Sequence, residues 1–417
     1  MVDKNLFLHD LAVVAILKNE GHYLKEWLDY HLLAGVDHFY LYDNESPDNQ
    51  AEVVKPYVEA GLVDYFPAPG KVMQMPVYNE AIKRFKFLNK YMAFIDCDEF
   101  IYPKWHDNIG IVELVDEILS LKPNASGLAI NWQIFGSNGQ EKADYSRGVL
   151  ERFKFRAPID WKGFKTPSGN QHIKTIANPR AIKDIVNPHF VNYFETKFAV
   201  NENGNIVQEA FNNPVTAQKI VINHYYVKSY EEYAKKVARG RASVLLERKL
   251  EDFHSYDCNE VFDDGILKYR AARAEKFYLK SAAERINRVA EALTEILSEH
   301  AGGKNFSIET ALTCRALSTY LREKYPQDVE YWRICEEASL SAVLKSINGM
   351  NMVEAMIFIR ELPNLQLKYP IVDEINRAAL QIMSQMKDFY RLNGRWKDFT
   401  DLDYIEELLR GVSFDGR

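Results

Sequence analysis

From Leu11 onward the chain alternates two hydrophobic periods. Leu11–Leu17 (LAVVAIL) is an unbroken apolar, β-branched run, as expected of a strand buried on both faces. His22–Ala34 then places Tyr23, Trp27, Tyr30, His31 and Ala34 near one helical face and stops at Gly35. His38–Tyr42 (HFYLY) reads as a second strand. Pro47 and Asp48 open a helix that runs to Ala60 and ends at Gly61, and Val63–Phe66 is a third strand. Val77–Asn89 is a third helix and Tyr91–Ile95 (YMAFI) a fourth strand. This order predicts an α/β fold of Rossmann-like type, with a mostly parallel sheet and helices on both faces.

From Leu128 to about Tyr226 the pattern turns β-rich and loop-rich, with strands expected at Leu128–Phe135 and Lys219–Tyr226. The segment Arg156–Gln171 carries Pro158, Gly163, Pro167 and Gly169 and reads as a ligand-facing loop. A helix is expected from Tyr230 to about Leu250. Beyond residue 270 only helical spacing remains, as in Ile286, Val289, Ala290, Leu293, Ile296 and Leu297, and in Ile371, Ile375, Ala378, Ala379 and Ile382. The expected division is an α/β domain over 1–250 and an all-α module over 251–417.

Open α/β sheets bind ligands outside the carboxyl ends of their strands. Here those ends are polar: Lys18-Asn19-Glu20, then Asp43-Asn44-Glu45-Ser46-Pro47-Asp48, then Asp96-Cys97-Asp98-Glu99. Residues i and i+2 of a strand share a face, so Asp96 and Asp98 are able to present both carboxylates to one ligand. Hard carboxylate oxygens suit Mg²⁺ or Mn²⁺, which usually shares its shell with phosphates. The ligand inferred is a nucleoside diphosphate. An acidic cap on the next helix is the plainer reading. Asp43 is suited to a base or a ribose, or else to an Asx turn with Ser46 and Pro47. His224, in Val221–Tyr226, suits Mn²⁺ as a neutral imidazole, or packs as a core histidine; His189 shares both readings.

Charge and composition narrow the class. Lys and Arg number 52 against 59 Asp and Glu, a net charge of −7 with no long basic run, which argues against a nucleic-acid binder. The four cysteines include no C-x-x-C pair, and the apolar run at Leu11–Leu17 is too short to span a membrane or serve as a signal peptide. Both features fit a reducing, cytoplasmic setting. Aromatic residues make up 13% of the chain. Most suit a Tyr/Phe-rich core, but Trp132, Phe135 and Trp161 are candidates for stacking on a sugar.

Several spaced phrases resemble glycosyltransferase family 92 and its bacterial relatives in the family-2-like GT-A superfamily. They are KNEGHYLKEWLDYHLLAGVDHFYLYDNESPDN, YNEAIKRFK, FIDCDEFIYP, NWQIFGSNG, ERF, HIKTIANP and NHYYVKSYEEYAKKVARG, in that order, over about residues 11–245. The resemblance implies a GT-A domain that moves a sugar, with galactose the first guess, from a UDP-sugar to a glycan or glycolipid, with inversion. It implies Asp96 and Asp98 as the D-x-D pair, Asp98 the direct ligand of Mn²⁺ or Mg²⁺, and His224 completing the metal shell. Asp43 faces the base. Lys18, Asn19, Glu20 and Asn44 line the nucleotide, Asn79 and Lys83 border the sugar and phosphates, and Lys174 or Lys228 clamps a phosphate. The base that takes the acceptor proton is expected between the D-x-D and His224, with Asp160 and Glu151 as candidates and Asp144 behind them. A salt bridge of Glu151 with Arg152 and a loop cap at Asp160 are the alternatives. Trp132 and Trp161 are the acceptor candidates.

Eukaryotic relatives carry an N-terminal membrane anchor that is not seen here, so a bacterial, cytoplasmic enzyme of lipopolysaccharide or capsule synthesis is expected. Membrane contact is at most peripheral. The helical module is read as an acceptor-binding or self-associating surface, or as a brace. Two other classes compete: a glycan-binding scaffold on a degenerate transferase fold, and a sugar-nucleotide nucleotidyltransferase. The second needs a Gly-rich loop after the first strand, where this chain has Lys18-Asn19-Glu20-Gly21-His22 with a single glycine.

Overall fold

The computed structural model describes residues 6–106, 109–163, 169–194, 196–242, 248–304, 306–347, 350–362 and 372–392. They fall into two compact units, His9–Glu284 and the described parts of Met1–Leu8 with Arg285–Arg417.

The first unit opens with β1 (His9–Leu17), α1 (Gly21–Ala34), β2 (His38–Asp43), α2 (Gln50–Glu59), β3 (Val63–Pro67), α3 (Gln74–Phe85), β4 (Asn89–Phe94), β5 (Glu99–Pro103), α4 (Ile111–Ser120) and β6 (Ala125–Ile134). It continues through α5 (Val149–Arg152), β7 (Phe155–Arg156), β8 (Ile173–Ala177), β9 (Ile182–Asp184), β10 (Asn192–Tyr193), β11 (Phe198–Val200), β12 (Ile206–Val207) and β13 (Ile220–His224). The helices α6 (Tyr230–Arg239) and α7 (Asp252–Tyr256), the strand β14 (Val261–Phe262) and α8 (Gly265–Ala274) complete it.

The main sheet runs β12-β11-β6-β8-β4-β1-β2-β3, with β13 bridging β6 and β5. Around β1 it is parallel, as the sequence predicts: β1 pairs with β2 and β4, and β2 with β3. It becomes mixed where β8 enters antiparallel between β4 and β6. β1 is apolar throughout because both of its faces are covered. Leu11, Val13, Ala15 and Leu17 share a core with Trp27, Leu28, Leu114 and Val115, while Ala12, Val14 and Ile16 are buried on the face where α3 packs.

Two helices end earlier than expected. α3 closes at Phe85, where the buried Asn89 donates from Nδ2 to the Phe85 carbonyl (2.7 Å), so the third helix gives way to β4 before residue 89. α6 ends at Arg239, because Gly240 adopts φ +83°, in the left-handed half that favours glycine. The boundary between units at Glu284–Arg285 lies beyond the division at residue 250 expected from the sequence, since α8 buries Ile266 and Tyr269 in the sheet core.

The second unit is helical among its described residues: α9 (Ala282–Ala301, crossing the boundary), α10 (Ile308–Lys324), α11 (Val329–Ser346), α12 (Met352–Glu361) and α13 (Val372–Leu392). Buried Glu336 accepts from Arg315 (3.3 Å) and Arg322 (2.7 Å), which joins α10 to α11. Among the described residues no helix is long and apolar enough to cross a membrane.

α6 is anchored by a buried charge network. Glu232 takes both guanidinium nitrogens of Arg152 (2.9 and 2.7 Å) and the Tyr23 hydroxyl, and forms a capping box with Ser229. Glu232→Ala is expected to cost ~3–5 kcal/mol in urea unfolding, because Arg152 is then buried without a counter-charge; the double change Arg152→Met/Glu232→Leu costs less, since no buried charge remains.

Candidate active site

Sheet register assembles the polar strand ends. Leu17 and Asp43 lie side by side at the carboxyl ends of β1 and β2. β13 runs antiparallel to β5 and pairs His224 with Glu99, which brings His224 beside Asp98. Thr175 of β8 pairs with Phe94, so Lys174 stands just past the carboxyl end of β4, within side-chain reach of Asp96. α6 adds Lys236 and Arg239 from outside the sheet. The result is a cleft of about 440 Å³.

Each carboxylate on the cleft wall has a cation. Asp96 Oδ2 accepts from Lys174 (3.0 Å) and its Oδ1 from Gln74 (2.8 Å). Asp98 Oδ2 accepts from Lys236 (2.5 Å), while Oδ1 faces His224 Nε2 at 3.5 Å. Glu20 pairs with Arg239 at 2.5 Å. Burial would raise the Asp98 carboxyl, but the Lys236 ammonium, His224 and Lys228 together outweigh it and hold Asp98 well below the usual carboxylate range. Burial pulls the Lys236 ammonium and the His224 imidazolium down, against the attraction of Asp98. Behind them Glu99 is fully buried, with Oε2 accepting from the Asp96 N–H (2.8 Å) and Lys174 at 3.3 Å. Burial outweighs Lys174 there and pushes the Glu99 carboxyl up to about 8.

The donor set fits a divalent cation of the Mn²⁺ or Mg²⁺ kind. Asp98 Oδ1 and His224 Nε2 converge, one a hard oxygen and the other an imidazole nitrogen, with Glu99 behind the His224 ring at 4.0 Å from Nδ1. Among the described residues no group of three or more His, Cys, Asp or Glu is placed to hold a metal ion.

Of the residues singled out in the sequence, Lys18, Glu20, Asn44, Asp96, Asp98, Trp132, Lys174, His189 and His224 line this cleft. The others do not. Asp43 is spent locally, accepting from the Ser46 N–H (3.0 Å) and Gln50 Nε2 (3.1 Å), the Asx turn that was its alternative reading. Asn19 serves the same turn, its N–H donating to Ser46 Oγ. Asn79 ties α3 to β9 through Ile185 (2.7 and 3.0 Å), and Lys83 points to solvent. Lys228 is buried with its ammonium over the Tyr23 ring.

Glu151 opens on a different cleft, of about 350 Å³, and faces Arg270 at 3.3 Å rather than Arg152. Asp144 is held by Ser146 at the surface, and Asp160 is exposed. Trp161 is half-buried, packed on the cluster of Ile134, Ala157 and Cys258, and does not line the cleft.

Gln74, Tyr226, Lys236, Arg239, Arg241 and Arg248 line the cleft without having been foreseen. The signal was present for two of them: Glu232, Lys236 and Arg239 recur at i, i+4, i+7 after a Ser-x-x-Glu capping box, a charged helical face that turns inward.

The family model of Glycosyltransferase family 92 matches residues 14–268. The chain belongs to glycosyltransferase family 92. Among its relatives is a family 92 protein of Ricinus communis, 24% identical over 242 residues, which covers 57% of this chain and 39% of that one. A family 92 protein of Oryza sativa subsp. japonica is 25% identical over 267 residues, covering 63% and 44%. Shorter similarity, 33% over 99 residues, joins the chain to a galactan β-1,4-galactosyltransferase of Arabidopsis thaliana, covering 21% and 19%. The chain thus spans less than half the length of these curated relatives. Of solved structures, UDP-bound TarS of S. aureus aligns over 82% of this chain and 93% of that one, at 13% identity and a TM-score of 0.29. The mixed, mostly parallel sheet followed by helices is the GT-A arrangement that the family resemblance implied.

Glu99 offers a check on the electrostatics. Its carboxyl titrates near 8 when folded and near 4.5 when unfolded, so the folded state holds the extra proton between those values. The stability that Glu99 contributes therefore falls as pH rises from about 4.5 to 8. Urea unfolding across that window is expected to show the wild type losing stability relative to Glu99→Gln as pH rises.

Proposed function

We propose that this chain transfers a sugar, in the first instance a hexose such as galactose, from a UDP-sugar to a hydroxyl of a glycan or glycolipid, with inversion and with Mn²⁺ or Mg²⁺ bound by Asp98 and His224. One observation carries the reading: in a cleft at the strand ends, a carboxylate and an imidazole converge within 3.5 Å, ringed by Lys174, Lys236, Arg239, Arg241 and Arg248. A diphosphate is the ligand such a ring recognises, since its oxygens accept from several cations at once. The relatives named galactan β-1,4-galactosyltransferases support the choice of hexose.

When bound, the cation would neutralise charge growing on the departing diphosphate. The protein's own groups do the rest. Lys174 and Lys236, already held by Asp96 and Asp98, present ammonium donors fixed before the ligand arrives, so little ordering is needed during reaction. Arg239 is locked by Glu20 and by the Lys18 carbonyl (2.7 Å), which keeps its guanidinium on the wall near the nucleotide. Trp132 lines the cleft beside His224, with ring centroids 4.4 Å apart, and offers an apolar surface for the sugar.

The direct test is release of UDP from a panel of UDP-sugars with Mn²⁺, before and after EDTA. Release from at least one donor that EDTA abolishes is expected; no metal-dependent release from any donor would refute the reading. Asp98→Ala should weaken Mn²⁺-dependent UDP binding in calorimetry beyond the ~10–100-fold that loss of an outer-shell partner costs, and unchanged affinity would overturn the metal assignment.

A further inference from the structure

The cleft and the chain carry opposite charge. The whole chain is at −7. The cleft wall holds seven lysine and arginine side chains against three carboxylates, Glu20, Asp96 and Asp98. With the imidazoles counted as neutral, that is a surplus of four positive charges.

The surplus reaches the candidate cation ligands themselves. Lys236 Nζ donates to Asp98 Oδ2 (2.5 Å) and to the Tyr226 carbonyl (2.8 Å), and lies over the Tyr226 ring at 3.9 Å from its centroid. Both Lys236 and Asp98 are buried, so water and salt screen this charge poorly. The negative charge of Asp98 is thus matched by the chain's own ammonium. The other two carboxylates are matched as well, Asp96 by Lys174 and Glu20 by Arg239. Arg241 and Arg248 add two guanidinium groups to the wall, and their buried Nε atoms have no hydrogen-bond partner.

Such a wall treats the two ligands of the proposed reaction differently. A divalent cation at Asp98 Oδ1 and His224 Nε2 meets an ammonium on the other oxygen of the same carboxylate. That repulsion is strong at short range in a poorly screened site. A nucleoside diphosphate has the opposite sign and meets the surplus directly, with donors to spare on Arg241 and Arg248. Once bound, it turns the local charge negative and offers phosphate oxygens to the cation.

We propose that Lys236 makes cation binding conditional on the nucleotide: UDP or a UDP-sugar enters the cleft first, without metal, and Mn²⁺ binds second, to the complex. This rests on the reading of Asp98 and His224 as the cation's ligands. Lys236 is here a positioning residue that acts through Asp98. Because coupling between two ligands is reciprocal, Mn²⁺ raises UDP affinity by the factor by which UDP raises Mn²⁺ affinity.

The test measures Mn²⁺ and UDP binding to the whole chain by calorimetry, each alone and each with the other present, corrected for Mn²⁺–UDP association in buffer. UDP is expected to bind in EDTA. Mn²⁺ is expected to bind the UDP-loaded chain at least about 10-fold more tightly than the nucleotide-free chain. Lys236→Gln keeps a donor to Asp98 and removes the charge. It is expected to raise the Mn²⁺ affinity of the nucleotide-free chain about tenfold or more, and to lower UDP affinity in EDTA. Lys236→Arg keeps the charge and is expected to stay near wild type in both. Mn²⁺ that binds the nucleotide-free wild type as tightly as the UDP-loaded one would overturn the binding order, and the wild-type titrations decide this without any variant. Wild-type Mn²⁺ affinity in Lys236→Gln would overturn the role of Lys236. Mn²⁺ that binds neither form and leaves UDP affinity unchanged refutes the metal assignment instead, and this inference with it.

Discussion

The site depends on charge compensation at the end of a buried strand. The link from β4 into β5 carries Asp96, Asp98 and Glu99, and the last two lie where water is largely excluded: Asp98 is 5% exposed and Glu99 is 0% exposed. Uncompensated carboxylates there would not stay ionised. Lys236 from α6, with His224 and Lys228, keeps Asp98 charged, while Lys174 from β8 pairs with Asp96. Glu99, with a weaker share of Lys174, is pushed toward its neutral form. On the proposed reading, the same lysines that compensate these carboxylates would also meet the diphosphate, so fold and binding would draw on one set of charges.

This requirement explains otherwise arbitrary features of the topology. The antiparallel entry of β8 between β4 and β6 brings Lys174 against Asp96, and the pairing of β13 with β5 brings His224 against Asp98. α6 has to be held firmly to deliver Lys236 and Arg239, and the bidentate Arg152–Glu232 pair at its first turn does that. Arg152 comes from α5, far from the cleft in sequence, so the site is tied to the rest of the first unit through a second buried charge pair.

What the sequence disclosed follows from the range of each signal. Period-two alternation and the strand-end rule located Asp96 and Asp98, because both features lie in one short run. Their neighbour His224 was legible only as a candidate, since β13 reaches β5 through a register that no local pattern encodes. Lys236 and Arg239 sit on a helix whose charged face ordinarily means solvent, and here it faces a carboxylate cluster. Asp43 and Asn79 show the converse: polar side chains at a strand end or helix edge that are engaged nearby, in a turn and a cross-link, and do not line the cleft. Glu151 was misplaced because α5 turns it toward Arg270 and away from the cleft wall. His189 was legible as an imidazole near an apolar strand, and it lines the cleft with Nδ1 3.1 Å from the Ile173 carbonyl of β8, a neighbour that only the tertiary fold supplies.

The most direct measurement is a crystal structure of the chain with UDP and Mn²⁺. The account predicts the diphosphate in the strand-end cleft, Mn²⁺ between Asp98 and His224, and phosphate oxygens within hydrogen-bond reach of at least one of Lys174, Lys236 and Arg239. A nucleotide bound in the Glu151–Arg270 cleft, or a strand-end cleft in which His224 touches no metal and Lys236 alone holds Asp98, would contradict it.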